Sequence, residues 1–466
     1  MQAPFKPQLI ALLISSSISS AAMAEESMVK DNFPVQTTGF VAALKLAMQH
    51  DPELKFAFYN YQAGQEQDDL ALSQLLPNVS LESSYNYSVV DNYYTSDDYK
   101  PTSEDLIERT KDEQSDYVTR ISLKQSLVNV AAWQAYSSSK EAVRQSKFTY
   151  TRAEQELIYR LSQAYLENLL AAQQVYITQE KLESLQLKLD QTSRMNELGV
   201  GGRLNVLRAT SSRDVARSDL LQAKSNLEDA QNKLENITGS HVDIPKDWVA
   251  NSHLVLPNLT GGTEEDWIDK IQDNASILAE MANVRSKELE ADSSSSQHLP
   301  TLSLSLTYSD RNSDDVYVES TNSTASINFS MPIYSGGRTS AQARQAEAGY
   351  HAAQAKYEKT LSDTQQAVRL AVTQLNSYRE RLQALEESRK SSQAFLEAAE
   401  RQADLSLGSQ VDVLEARTEL YDVRLQFAQT LSDYLLADLN LLLETGQLND
   451  QTLARYDQLF DNNTHL

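Results

Sequence analysis

The landmarks of this chain occur twice in the same order, and that duplication restricts its folds more than any other feature. Leu76-Pro77 recurs as Leu299-Pro300, and Asp51 and Leu54 align with Asn274 and Ile277, all at an offset of 223. ISLKQSL, beginning at Ile121, recurs as INFSMPI, beginning at Ile327, at an offset of 206. LNVLRA at 204–209 matches VDVLEA at 411–416, and Thr238-Gly239 matches Thr445-Gly446, both at 207. The offset drops by 17 (223 − 206) between the first and second strand of each copy, so the first copy has a longer loop there.

Each copy contains the same parts. A shorter helical stretch comes first, at 40–75 and again at 264–293. Two strands follow, separated by a polar loop, then a very long helix at 131–197 and 341–405. A tight turn leads to a last helix at 205–238 and 412–445. The expected organisation is a first repeat at 25–240, a linker at 241–263, a second repeat at 264–446 and a tail at 447–466.

The strands have period two. Val79, Leu81, Tyr85 and Tyr87 alternate with Asn78, Ser80, Glu82, Ser84 and Asn86, and Leu302, Leu304, Leu306 and Tyr308 with serines and a threonine. In the last strand Ala325, Ile327, Phe329, Met331 and Ile333 alternate with Ser326, Asn328 and Ser330. Such segments fit a transmembrane β-barrel and equally a soluble sheet with one wet face. The helices decide between them. Val368, Ala371, Leu375, Tyr378, Leu382 and Leu385 step by three and four, as do Tyr421, Leu425, Ala428, Ser432, Leu435, Leu439 and Leu442. That seam is narrower than a globular helix needs. About 65 residues at 1.5 Å each make a rod of roughly 100 Å, which projects away from the strands.

Four strands cannot close a barrel, and lipid does not tolerate an open sheet edge. Closure therefore requires identical copies. Two chains would give eight strands and a filled interior, whereas three give twelve and leave a water passage. The Ser/Asn faces are polar enough to line it.

Residues 1–24 read as a removable export signal, with Lys6, an apolar LIALLI run and an Ala22-Met23-Ala24 cleavage site. No later segment approaches 18 apolar residues, so any membrane crossing must use strands. The chain has no cysteine, which excludes disulfides and thiolate metal sites. Its net charge of −24 makes it a poor nucleic-acid binder. His50, His241, His253, His298, His351 and His465 lack metal-ligand spacing. GVGGR at 199–203 joins two helices and lacks a phosphate-loop pattern. No serine lies in a nucleophile-elbow motif, so no catalytic, cofactor or metal residue is nominated and no enzyme is expected. The tyrosine- and acid-rich segment 93–117 reads as a solvated surface loop, with Tyr85, Tyr87 and Tyr308 near an interfacial belt.

The residues resemble the TolC family of outer-membrane factors. The resemblance is carried by LPNVSLESSYNY, LPTLSLSLTYSD, SMPIYSGGR at 330–338, LGSQVDVLEARTELYDVR at 407–424 and LLLETGQLNDQTL. Pro332 suits a strand end, and Gly336-Gly337 a sharp turn into a helix. The resemblance implies an α+β membrane protein: a homotrimer whose 12-stranded outer-membrane β-barrel, four strands per chain, continues into a long periplasmic α-helical barrel. It further implies an exit duct for efflux pumps or type I secretion, docking a periplasmic adaptor (membrane fusion) protein and an inner-membrane efflux or ABC transporter. A periplasmic coiled-coil adaptor or scaffold is the second reading.

The family's acidic aperture positions fall on Asp412 and Glu415, and the first copy has Asn205 and Arg208 at the equivalent places. Arg203 matches Gln410, so one tip is basic and the other acidic. Pairing of Arg208 and Arg203 with Asp412 or Glu415, within or between subunits, would favour a closed periplasmic gate. Gly408 lies four residues before Asp412 instead of the family's six, whereas Gly199 keeps that spacing before Asn205.

Overall fold

The computed structural model describes residues 39–91, 111–242, 263–313, 319–405 and 410–461. The first copy comprises α1 (Phe40–His50), α2 (Pro52–Ser73), β1 (Asn78–Asp91), β2 (Lys111–Val128), α3 (Val130–Glu197) and α4 (Arg203–Thr238). The second comprises α5 (Glu264–Asp269), a 3-10 turn (Lys270–Asp273), α6 (Ala275–Ser296), β3 (Thr301–Ser313), β4 (Ser320–Ser330), α7 (Arg338–Asp404), α8 (Gln410–Glu444) and α9 (Asp450–Asp461). The signal segment and most of the linker lie outside the described residues.

Both opening helices are broken at the aligned positions Asp51 and Asn274. Asp51 caps α2 by accepting from the Leu54 N–H at 2.7 Å, and Pro52 begins the helix. Asn274 caps α6 by accepting from the Ser276 and Ile277 N–H groups. These caps satisfy donors that a helix start leaves orphaned, which is why each stretch splits in two.

At the other end of each copy, α4 and α8 finish at Gly239 and Gly446, both in the left-handed region with φ of 68° and 71°. The Gly446 Cα lies so close to the Asp273 carbonyl that an added Cβ would sit 2.4 Å from its oxygen. Gly239 lies as near the His50 ring. Each repeat thus packs its terminal glycine against the residue preceding its own internal cap. Gly446→Ala meets both the backbone conformation and the contact, and we expect it to cost about 2 kcal/mol or more. A several-degree fall in melting temperature checks this; an unchanged melt would contradict it.

The core lies where these joints meet the long helices. Leu157, Leu161, Tyr165 and Leu169 of α3 pack with Phe40 and Leu44 of α1, and with Leu431, Leu435 and Leu439 of α8. The Phe40 and Tyr165 rings approach to 4.1 Å. The expected tail instead folds as α9, which docks through Leu453 and Tyr456. The Tyr456 hydroxyl donates to buried Asp438. Burial, then the adjacent Asp438 charge, pushes the phenol pKa well up. The sequence-read seams are buried at Val368, Ala371, Leu375 and Leu382 of α7, and at Ala428, Ser432, Leu435, Leu439 and Leu442 of α8.

The strands form one antiparallel sheet in the order β1-β2-β3-β4. β4 ends at Ser330 rather than continuing through Met331 and Ile333, because Pro332 has no N–H for the ladder. β2 begins at Lys111, inside the segment read as loop. Among the described residues no helix is long and apolar enough to cross a membrane.

Candidate functional site

Register assigns every strand residue to one of two faces. Ser80 pairs with Ser122, Ser122 with Thr307, and Thr307 with Thr324, so these polar residues form one row across the sheet. Leu81, Ile121, Tyr308 and Ser323 form the next row on the opposite face. In β3 Leu306, Tyr308, Asp310 and Asn312 are exposed, while Thr307, Ser309, Arg311 and Ser313 are half-buried. From Leu306 onward β3 therefore shelters the side chains of the polar face and presents the alternate ones, while across the sheet the register keeps a Ser/Thr/Asn-rich face opposite an apolar one, as in a barrel wall. Charges on the polar face pair across strands: Arg120 with Glu82 at 3.9 Å, and Arg311 with Asp116 at 2.5 Å.

Among the described residues the outer edges of β1 and β4 have no partner strand. The helices repeat the same asymmetry. α2 leads into β1 and exposes Phe56 (68%) and Tyr59 (64%); α7 leaves β4 and exposes Leu370 (57%) and Phe395 (53%). Strand edges and apolar helix faces are thus left open at both ends of the chain's sequence of neighbours.

At the strand-to-helix turn, Gly336 and Gly337 are consecutive left-handed residues with φ of 65° and 84°, and Gly337 is the N-cap of α7. Pro332 stands just after β4. The matching turn of the first copy contains no glycine. There Asn129 caps α3 by accepting from the Ala132 N–H at 3.0 Å.

The tip of the first hairpin turns at Gly199, with φ 76°. Arg203 opens α4, Asn205 is half-buried and Arg208 exposed. Asp412 and Glu415 are exposed in the first turns of α8. Within the chain, among the described residues, no ion pair joins either arginine to either acid. Gly408 and the rest of its turn lie outside the described residues.

Polar links between the two hairpins lie further along the helices, and sequence reading did not find them. Arg424 of α8 donates to Glu180 of α3 at 2.8 Å. Lys181 lies 3.4 Å from Asp422 of α8 and 3.8 Å from Asp219 of α4. Arg417 donates to Ser184 of α3 and to Glu400 of α7. All three cations are half-buried or nearly buried, with 12% of Lys181 and 24% of each arginine exposed. If α8 moves away from α3 at this level, its links to Glu180, Lys181 and Ser184 must break.

The profile of the outer membrane efflux protein family matches residues 43–240 and 268–447, both copies of the repeat. The chain belongs to the outer membrane efflux protein family. Its relatives include the proteases secretion protein PrtF of Dickeya chrysanthemi, 26% identical over 434 residues and 90% of each chain. The outer membrane protein TolC of Vibrio cholerae is 27% identical over 412 residues, covering 87% of this chain and 90% of that one. Among solved structures, the Campylobacter jejuni CmeC outer membrane channel superposes with a TM-score of 0.74 at 18% identity, covering 91% of this chain and 89% of that one. Such members are channel proteins, not adaptors or scaffolds. The chain has the TolC-like channel fold and is an outer-membrane protein that extends into the periplasm.

Proposed function

We propose that three copies of this chain close into a hollow duct that carries cargo from an inner-membrane transporter across the outer membrane. Support comes from the sheet: the register gives it one polar and one apolar face, and among the described residues both its edges are open. An open edge in hydrocarbon leaves N–H and C=O groups unsatisfied, and β1 of one copy against β4 of the next satisfies them. The same closure brings the exposed faces of α2 and α7 together. Three chains supply twelve strands, enough for a water-filled lumen.

The helix tips are the gate in this reading. Asp412 and Glu415 ring the periplasmic aperture, and Arg208 with Arg203 pairs with them between subunits. Asn205 occupies the first copy's place equivalent to Asp412. Leu198, Val200, Leu204 and Leu207 are exposed around the first tip, which gives an apolar surface for a periplasmic adaptor protein. Relatives whose names specify protease secretion and others whose names specify efflux support a duct serving either an efflux pump or a type I secretion system.

Cells lacking the protein should become sensitive to bulky or amphipathic toxic compounds, or lose a secreted polypeptide. The purified protein should form ion-conducting pores in planar bilayers. Wild-type resistance and secretion together with the absence of any pore would refute the duct.

A further inference from the structure

At the helix-facing end of the sheet's polar face one lysine stands in a row of otherwise neutral residues. Lys124 of β2 lies on that face, register-paired with Asn78 of β1 and, on its other side, with Ser305 of β3. Both neighbours are neutral, and the row continues to Ser326. Lys124 is exposed and, among the described residues, makes no ion pair. Further along the same face Glu82 pairs with Arg120 and Asp116 with Arg311. The register rows at the helix-facing end of the polar face, Asn78–Lys124–Ser305–Ser326 and Ser80–Ser122–Thr307–Thr324, therefore carry Lys124 as their one charge.

The position of this charge is also defined. β2 ends at Val128 and passes into α3, so Lys124 stands four residues from that end and in the terminal register pair with β1, where the barrel meets the helices. Rotational repetition places every copy of it at the same height.

We propose that Lys124 and its symmetry mates form a cationic collar at the inner end of the membrane-spanning lumen, giving that section of the duct a preference for anions. The inference rests on the duct reading above. The ligand class is a small anion, or a carboxylate-bearing segment of a passing polypeptide. Rings of charged side chains facing a lumen set ion preference by direct electrostatics. The acidic gate positions lie at the far end of helices roughly 100 Å long, about ten Debye lengths away in 0.1 M salt, so the two rings act independently.

The test is the reversal potential of single pores in a potassium chloride gradient, in a background carrying Asp412→Asn and Glu415→Gln so that the gate acids do not mask the barrel. We compare Lys124 with Lys124→Arg, Lys124→Gln and Lys124→Glu. The permeability ratio of chloride to potassium should fall by roughly twofold for the Gln variant at about 0.1 M salt and further for Glu, with larger shifts at lower salt. Arg should retain the parent value. Equal ratios in pores of the Lys, Arg and Gln proteins overturn the collar and leave the duct standing. Failure of the Lys124 protein to conduct at all overturns the duct, and the collar with it.

Discussion

Replacing Leu306 by Lys should abolish accumulation of assembled protein in the outer membrane, while Thr307→Lys, the next residue on the same strand, should leave it nearly unchanged. Leu306 pairs with Leu123 and Ala325 near the middle of β3, on the face shared with Leu304 and Tyr308, and 40% of it is exposed on the isolated chain. That exposure suits a side chain in contact with hydrocarbon. A lysine near the midplane of a barrel's lipid face costs about 2–4 kcal/mol. Three copies raise this to roughly 6–12 kcal/mol, comparable with the whole stability of a typical folded protein. Thr307 pairs with Thr324 on the polar face, where a lysine meets water. Counting heat-labile oligomer in outer-membrane fractions checks both variants. Equal tolerance of the two would mean the faces are misassigned, and a soluble sheet would then explain the alternation better.

Arg424→Glu should open the duct at its periplasmic end. Glu180 and Arg424 join α3 to α8 in every copy, with 35% and 24% of their side chains exposed. Pairs this accessible are screened, so loss of attraction is worth at most about 1 kcal/mol per chain, and reversal to repulsion roughly 1–2 kcal/mol. A ring of three moving together would feel about 3–6 kcal/mol, and about 5.5 kcal/mol inverts a 1:99 population. One exposed pair in one chain would matter little, but the repetition makes it decisive. We expect a several-fold rise in single-pore conductance and sensitivity to a bulky antibiotic that an intact outer membrane excludes. The swap Glu180→Arg with Arg424→Glu should restore closure. Unchanged conductance in the single variant would show that the gate is held elsewhere, as at Arg208, whose replacement by Glu is the matching test at the tip.

Much of the fold could be read from the sequence because duplication supplied an internal control. Leu76-Pro77 and Leu299-Pro300 do precede β1 and β3, and Gly239 and Gly446 do end α4 and α8. The period-two runs mark strands wherever one face meets lipid. The pattern fails at the start of β2, where Asp112, Glu113, Gln114 and Asp116 alternate nothing apolar, and only hydrogen bonding to β1 reveals the strand. Local signals went unused in two places. Pro52 after Asp51 marks a helix start, and Asn449 followed by Thr452 caps α9, accepting from the Gln451 and Thr452 N–H groups. The interhelix ion pairs were beyond any local reading. Lys181 and Asp422 are 241 residues apart in sequence, Glu180 and Arg424 are 244 apart, and neither pair follows a helical spacing. Charge type at the tips was visible, but which helix each charge faces depends on how the hairpins pack.

The most direct test of the central claim uses the chain's lack of cysteine. β1 and β4 are separated by two intervening strands, about 14 Å across three strand spacings. A disulfide requires Cα atoms within roughly 7 Å, so a β1–β4 bond can form only between chains. Single cysteines scanned over residues 80–87 of β1, combined with single cysteines over residues 321–328 of β4, should include pairs that oxidise to a covalent trimer in membranes. Efficient cross-linking confined to dimers, or oxidised chains that remain monomeric at every combination, would contradict the closed three-chain barrel.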